Sequence, residues 1–103
     1  MNTLIGKGSV LEGKIKIEGV ARIDGKIKGE IEVTDSLVIG TTAEIEADIT
    51  AKSAVIGGKV TGKIFAPEKV ELQSKSMIIG EITTKNLIIE DGAVFQGSSN
   101  TNK

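Results

Sequence analysis

Apolar and polar residues alternate along most of the chain. In residues 13–31, GKIKIEGVARIDGKIKGEI, Ile15, Ile17, Ile23, Ile27 and Ile31 are set off by charged or glycine positions. A local period of two marks strands with one buried face, and it argues against an amphipathic helix with a period of 3.6. The tetrapeptide GKIK at 13–16 returns at 25–28, so the chain repeats itself. A six-residue spacing (Ile5, Leu11, Ile17, Ile23) holds at first, fails at Gly29, resumes at Ile39, Ile45 and Ala51, and fails again.

A longer period runs through the whole chain. Six segments of roughly 15 to 18 residues align: TLIGKGSVLEGKIKIE, GVARIDGKIKGEIEVTD, SLVIGTTAEIEADITAK, SAVIGGKVTGKIFAPE, KVELQSKSMIIGEITTK and NLIIEDGAVFQGSS. Apolar residues fall into columns. One is Ile5, Ile23, Ile39, Ile56, Leu72, Ile89; a second is Leu11, Ile27, Ile45, Val60, Ile78, Phe95; a third is Ile15, Ile31, Ile49, Ile64, Ile82. Lighter columns are Thr3, Ala21, Leu37, Ala54, Val70, Leu87 and Ile17, Val33, Ala51, Ala66, Thr84. A small residue always separates the second column from the third: Gly13, Gly29, Ala47, Gly62, Gly80, Gly97.

Each segment reads as one turn of a coil built from short strands, with inward residues stacking as ladders. The predicted fold is a single all-β domain, a parallel β-helix of about six turns. The small column marks a bend at which a Cβ substituent is expected to crowd the interior. Length varies at one corner: four residues separate Ile23 from Ile27 and Ile56 from Val60, but six separate Ile39 from Ile45. Turns that keep neither strict hexapeptides nor a constant length argue for a right-handed coil, although the pattern alone does not fix the hand. Outward residues also form files: Lys26, Glu44, Lys59; Glu12, Lys28, Glu46; and Lys14, Glu30, Asp48, Lys63. Opposite charges on adjacent turns would help set register; the plainer reading is an ordinary solvated face.

Composition narrows the chemistry. Ile and Val dominate the apolar residues, with thirteen glycines against one proline, which suits strands and tight corners. The chain has no Cys and no His, which removes disulfides, thiolate and imidazole ligands and the commonest general base. A net charge of −1 with 2% aromatic residues offers little to nucleic acid. The longest apolar run is three residues, so no segment reads as a membrane span or a signal peptide. GSVLEGKI, residues 8–15, opens like a phosphate-binding loop, but Ile15 stands where Ser or Thr must hold Mg²⁺, and no helix follows. Hexapeptide-type acyl transfer lacks its histidine, and a carbohydrate-processing cleft lacks long loops. No catalytic, cofactor or metal residues are expected.

The ends carry the strongest functional signal. A coil of strands has two open edges, which invite pairing, and here neither end shows a capping helix or proline. The first turn presents Leu4, Ile5 and Leu11; the last presents Leu87, Ile89, Val94 and Phe95. Phe95 ends a column otherwise made of Ile, Leu and Val. It either plugs its own core or packs against a second molecule. A possible lateral surface includes Val38, Val55 and Ile88 from the outward file Leu4, Arg22, Val38, Val55, Glu71, Ile88, together with Phe65 and Ile79. Scattered exposed aliphatics are the plain alternative.

Segments such as LVIGTTAEIEADITAKSAVIGGKVTGKI, VELQSKSMIIGEI and the closing LIIEDGAVFQG resemble the core domain of bactofilins, bacterial cytoskeletal proteins. The resemblance implies a right-handed β-helix of triangular cross-section, spontaneous end-to-end polymerisation without nucleotide into non-polar filaments, and roles in cell shape and envelope organisation. It implies that an aromatic residue near the C-terminal end of the core matters for polymerisation, and Phe95 in GAVFQG matches that position. The implied partners are further copies of the chain, the inner membrane and cell-wall-modifying proteins, with neither nucleotide nor nucleic acid. The implied location is the cytoplasm, at the inner face of that membrane. The expected core spans residues 3–97 and a short polar tail spans 98–103. Only Met1 and Asn2 precede the first turn, so a membrane-targeting N-terminal tail is not expected. The rival reading is a soluble β-helix scaffold that binds a partner without polymerising.

Overall fold

The computed structural model describes the backbone of residues 2–101 and the side chains of residues 4–99. It contains twelve strands: β1 (Asn2–Ile5), β2 (Val10–Ile17), β3 (Val20–Ile23), β4 (Lys26–Val33), β5 (Ser36–Ile39), β6 (Glu44–Thr50), β7 (Ser53–Ile56), β8 (Lys59–Phe65), β9 (Lys69–Leu72), β10 (Met77–Thr84), β11 (Leu87–Ile89) and β12 (Val94–Thr101). Short and long strands alternate along the chain. The short ones stack as one six-stranded sheet, β1-β3-β5-β7-β9-β11, and the long ones as another, β2-β4-β6-β8-β10-β12. Every pairing is parallel, so the chain is a six-turn β-solenoid.

The register reproduces the columns. Ile5 pairs with Ile23, Ile23 with Ile39, Ile39 with Ile56 and Ile56 with Leu72. Ile27, Ile45, Val60 and Ile78 form the second ladder; Ile31, Ile49, Ile64 and Ile82 the third; all eight are essentially inaccessible to solvent. Identical β-branched side chains stack well at the strand spacing of about 4.8 Å. Fully burying each contributes roughly 1.5–3 kcal/mol. Thr3 keeps its column register opposite Ala21; its side chain lies outside the described residues.

Each long strand changes direction at the small column and lines two faces, so the solenoid has three. Gly13, Gly29, Gly62, Gly80 and Gly97 all have φ between +113° and +135° or slightly beyond, with Gly80 at +137°. The physical reason differs from crowding of the interior. A Cβ added at Gly29, Gly80 or Gly97 would strike the carbonyl of the glycine one turn earlier, and at Gly62 the carbonyl of Ala47. The obstacle is neighbouring backbone, and the glycines themselves are partly or wholly exposed. Ala47 has no positive φ, and the β6–β8 register is interrupted beside it: Glu46 pairs with Thr61 and Ile49 with Ile64, with no pairing between.

The variable corner takes two forms. Four-residue corners close with turn hydrogen bonds from Ser9 N to Gly6 O (3.2 Å), Ala43 N to Gly40 O (3.1 Å), Ser76 N to Gln73 O (2.9 Å) and Ala93 N to Glu90 O (3.1 Å). The second and fourth turns pass this corner with Asp24-Gly25 and Gly57-Gly58 alone. Gly25 lies against the carbonyls of Gly6 and Ser9, and Gly58 against those of Gly40 and Ala43. A short corner therefore nests under a four-residue one.

Two charge files each form one of the expected ion pairs, Lys26 Nζ to Glu44 Oε2 at 3.6 Å and Lys28 Nζ to Glu46 Oε2 at 3.8 Å, while among the described residues Lys59 and Glu12 of the same files stay outside ion-pair distance. The third does not follow the rule, since Glu30 and Asp48 are direct neighbours. The paired groups are more than half exposed, so Glu44→Ala is expected to lower stability by less than about 1 kcal/mol in chemical denaturation. A loss of about 3 kcal/mol would show that this file holds the turns together.

At the C-terminal end the strand runs past the expected core boundary. β12 pairs with β10 from Val94↔Met77 through Thr84↔Thr101, so Ser98–Thr101 are strand and not tail. Ser99 occupies the register of Ile82. Among the described residues nothing lies beneath it, so that position is exposed and tolerates a polar residue, which disguised the strand.

Candidate assembly site

The two ends of the solenoid are cut surfaces through the core. β1 and β2 bound one end and β11 and β12 the other; each is hydrogen-bonded on one side only. Their outer backbone groups lie free for another strand.

At the C-terminal end, Phe95 continues the second ladder below Ile78 and packs, half-buried, against the core. Ile89 lies below the fully buried Leu72 yet is 49% exposed, because nothing covers it from beneath. Leu87 is half-buried below Val70. Ala93, the last residue of its corner, also packs here. At the N-terminal end, Ile5 and Ile15 are half-buried, and Leu11 is 38% exposed above the buried Ile27. These residues belong to inward columns and are exposed only because the ladders stop.

Two of the expected end residues stand elsewhere. Leu4 pairs with Arg22, and Val94 with Met77, in outward files, so both lie on the flanks next to an end. The five lateral residues are also divided. Val38 and Val55 are register neighbours, and Ile88 follows Glu71 in the same file. Phe65 aligns with Thr50 and Thr83, and Ile79 with Thr61 and Gln96, on the two faces lined by the long strands. Ile15 of the loop-like GSVLEGKI packs in a core ladder within β2, with no helix N-terminus to face a phosphate.

A family model described as "Bactofilin: Polymer-forming cytoskeletal" matches residues 3–100. The chain belongs to the bactofilin family. It is 38% identical over 97 residues to bactofilin BacO of Myxococcus xanthus, covering 94% of this chain and 77% of that one. It superposes on Thermus thermophilus bactofilin, reconstructed as double helical filaments, with a TM-score of 0.92 and 31% identity, over 97% of this chain and 99% of that one. It matches the solid-state NMR structure of the cytoskeletal bactofilin BacA with a TM-score of 0.88 and 33% identity, over 99% of this chain and 97% of that one. Bactofilins are thus its relatives in both sequence and fold, and its type is a structural, polymer-forming one.

Proposed function

We propose that this bactofilin assembles end to end, through Phe95, Leu87 and Ile89 at one end and Ile5 and Leu11 at the other, into non-polar filaments that need no nucleotide. The flanking Leu4 and Val94 widen the two contact surfaces. The observation carrying this reading is the exposed core cross-section at both ends, most plainly Ile89, which is uncovered although Ile23, Ile39, Ile56 and Leu72 of its ladder are sealed. Like ends meet: two C-terminal turns bring two Phe95 rings together, and two N-terminal turns bring two Leu11 side chains together. The polymer serves cell shape and envelope organisation at the cytoplasmic face of the inner membrane, near cell-wall-modifying proteins, and carries out no catalysis. Among the described residues, no helix is long and apolar enough to cross a membrane.

Negative-stain microscopy of the purified chain tests the reading. Filaments of the same length are expected in plain buffer and in buffer with ATP or GTP and Mg²⁺. Discrete particles in both, or filaments only with nucleotide, would overturn it.

A further inference from the structure

The face lined by the short strands carries the outward file Leu4, Arg22, Val38, Val55, Glu71, Ile88. This order is self-complementary about its midpoint. A two-fold axis perpendicular to the solenoid, between Val38 and Val55, would set Val38 of one copy opposite Val55 of the other. The same axis sets Arg22 opposite Glu71 and Leu4 opposite Ile88. All three matches occur twice, as an isologous contact requires.

Double helical filaments are the reported form of the Thermus thermophilus relative; for this chain we propose the contact itself, two copies side by side and antiparallel through this face. Parallel in-register pairing would instead oppose Arg22 to Arg22 and Glu71 to Glu71. The residues are available for a partner. Leu4 is 71% exposed, Ile88 is 42% exposed, and Glu71 makes no ion pair among the described residues. Arg22 contacts Asp24 Oδ2 through Nε at 3.1 Å, which leaves its two terminal nitrogens for a second carboxylate.

The wider charge distribution obeys the same symmetry. Residues 35–51 hold Asp35, Glu44, Glu46 and Asp48 and no basic residue; residues 52–66 hold Lys52, Lys59 and Lys63 and no acidic one. The two-fold axis passes between these turns; of these charges only Asp35 and Lys52 reach the short-strand face, because the others project from β6 and β8. Asp35 and Lys52 directly precede β5 and β7 and stand at the margin of this face. The other faces fit less well. On the face carrying Lys14 and Phe65, the same axis would oppose Glu30 to Glu81, two like charges.

The face is small. Six strands at about 4.8 Å and a strand length of about 13 Å give roughly 300 Å² per copy, against about 800 Å² per partner in a stable complex. One such contact is weak, and its strength comes from repetition along two filaments. In that respect it rests on the end-to-end reading.

Charge exchange tests it. In low salt the wild type is expected to form paired filaments in cryo-electron micrographs. Arg22→Glu and Glu71→Arg alone should each give single filaments of normal length, because each pair would then contain two like-charge contacts. Arg22→Glu/Glu71→Arg together should restore pairing, since the two-fold axis again opposes unlike charges. Circular dichroism confirms that each variant is folded. Single wild-type filaments, single variants that stay paired, or an exchange that fails to restore pairing would overturn the proposal. If no filaments form at all, the end-to-end reading fails separately, and sedimentation velocity decides this one. A dimer lost in each single variant and regained in the exchange supports it; a monomer at every concentration overturns it.

Discussion

Phe95→Arg is expected to abolish filaments and leave the solenoid folded. Phe95 lies in the last turn, with one side of its ring against Ile78 and the core and the other toward solvent. An arginine there keeps its stem on Ile78 and turns its guanidinium to water, as long cationic side chains do at the edge of apolar surfaces. The fold therefore loses little, while the joint between two C-terminal ends loses much. It forfeits two buried rings, each worth about 2–4 kcal/mol as an interface anchor, and gains two facing cations. A loss above about 4 kcal/mol per joint weakens it roughly a thousand-fold.

The residual species is informative. Where like ends meet, only one of the two joint types is damaged, so Phe95→Arg should stop at a dimer joined through its N-terminal ends. Leu11→Arg should stop at the complementary dimer joined through Phe95. Sedimentation velocity distinguishes these from the monomers that head-to-tail joints would leave. Micrographs of Phe95→Arg with filaments of wild-type length would sink the assembly reading altogether.

Much of this arrangement was legible in the residues. A solenoid repeats its inward positions at each turn, so burial alone imposes the columns, and Ile23 to Leu72 could be aligned across corners of different length. The outward and terminal positions were less legible. Leu4 and Val94 are apolar at the ends of the chain, which suggests the end surface, yet their strand parity turns them sideways. Ser99 is polar and so reads as tail, although it completes a ladder position. Phe65 and Ile79 are as apolar as Val38, but only the register shows that they occupy different faces. Self-complementarity of the Leu4–Ile88 file was present in the sequence, and it gained meaning only once the six residues were known to stand in one straight line.

The corner glycines give the other large effect, because their neighbours make two of them a matched pair. Gly80 has φ +137°, and an added Cβ there would run into the backbone carbonyl of Gly62. Gly13 has φ +113°, but an added Cβ would meet nothing within 4 Å, since it lies in the first of the described turns. Both Gly13→Ala and Gly80→Ala pay the strain of an unfavourable backbone region, about 1–3 kcal/mol. Gly80→Ala must in addition push apart β8 and β10. Solenoid stability is carried by contacts between adjacent turns, and two turns alone fall short of the three or so that such repeats need. Gly80→Ala is therefore expected to melt the fifth and sixth turns before the first four, giving two transitions in urea. Gly13→Ala should retain one transition at a modestly lower midpoint. Both are best measured in the Leu11→Arg/Phe95→Arg background, where neither joint masks unfolding. Equal midpoint shifts for the two variants would mean that strain alone governs this corner, and that close stacking of successive turns does not. Gly13→Ala carries one further expectation in the unaltered chain. The space above Gly13 is open in a single molecule but would be occupied at the proposed N-terminal joint, so this variant should shorten filaments more than its small loss of stability predicts.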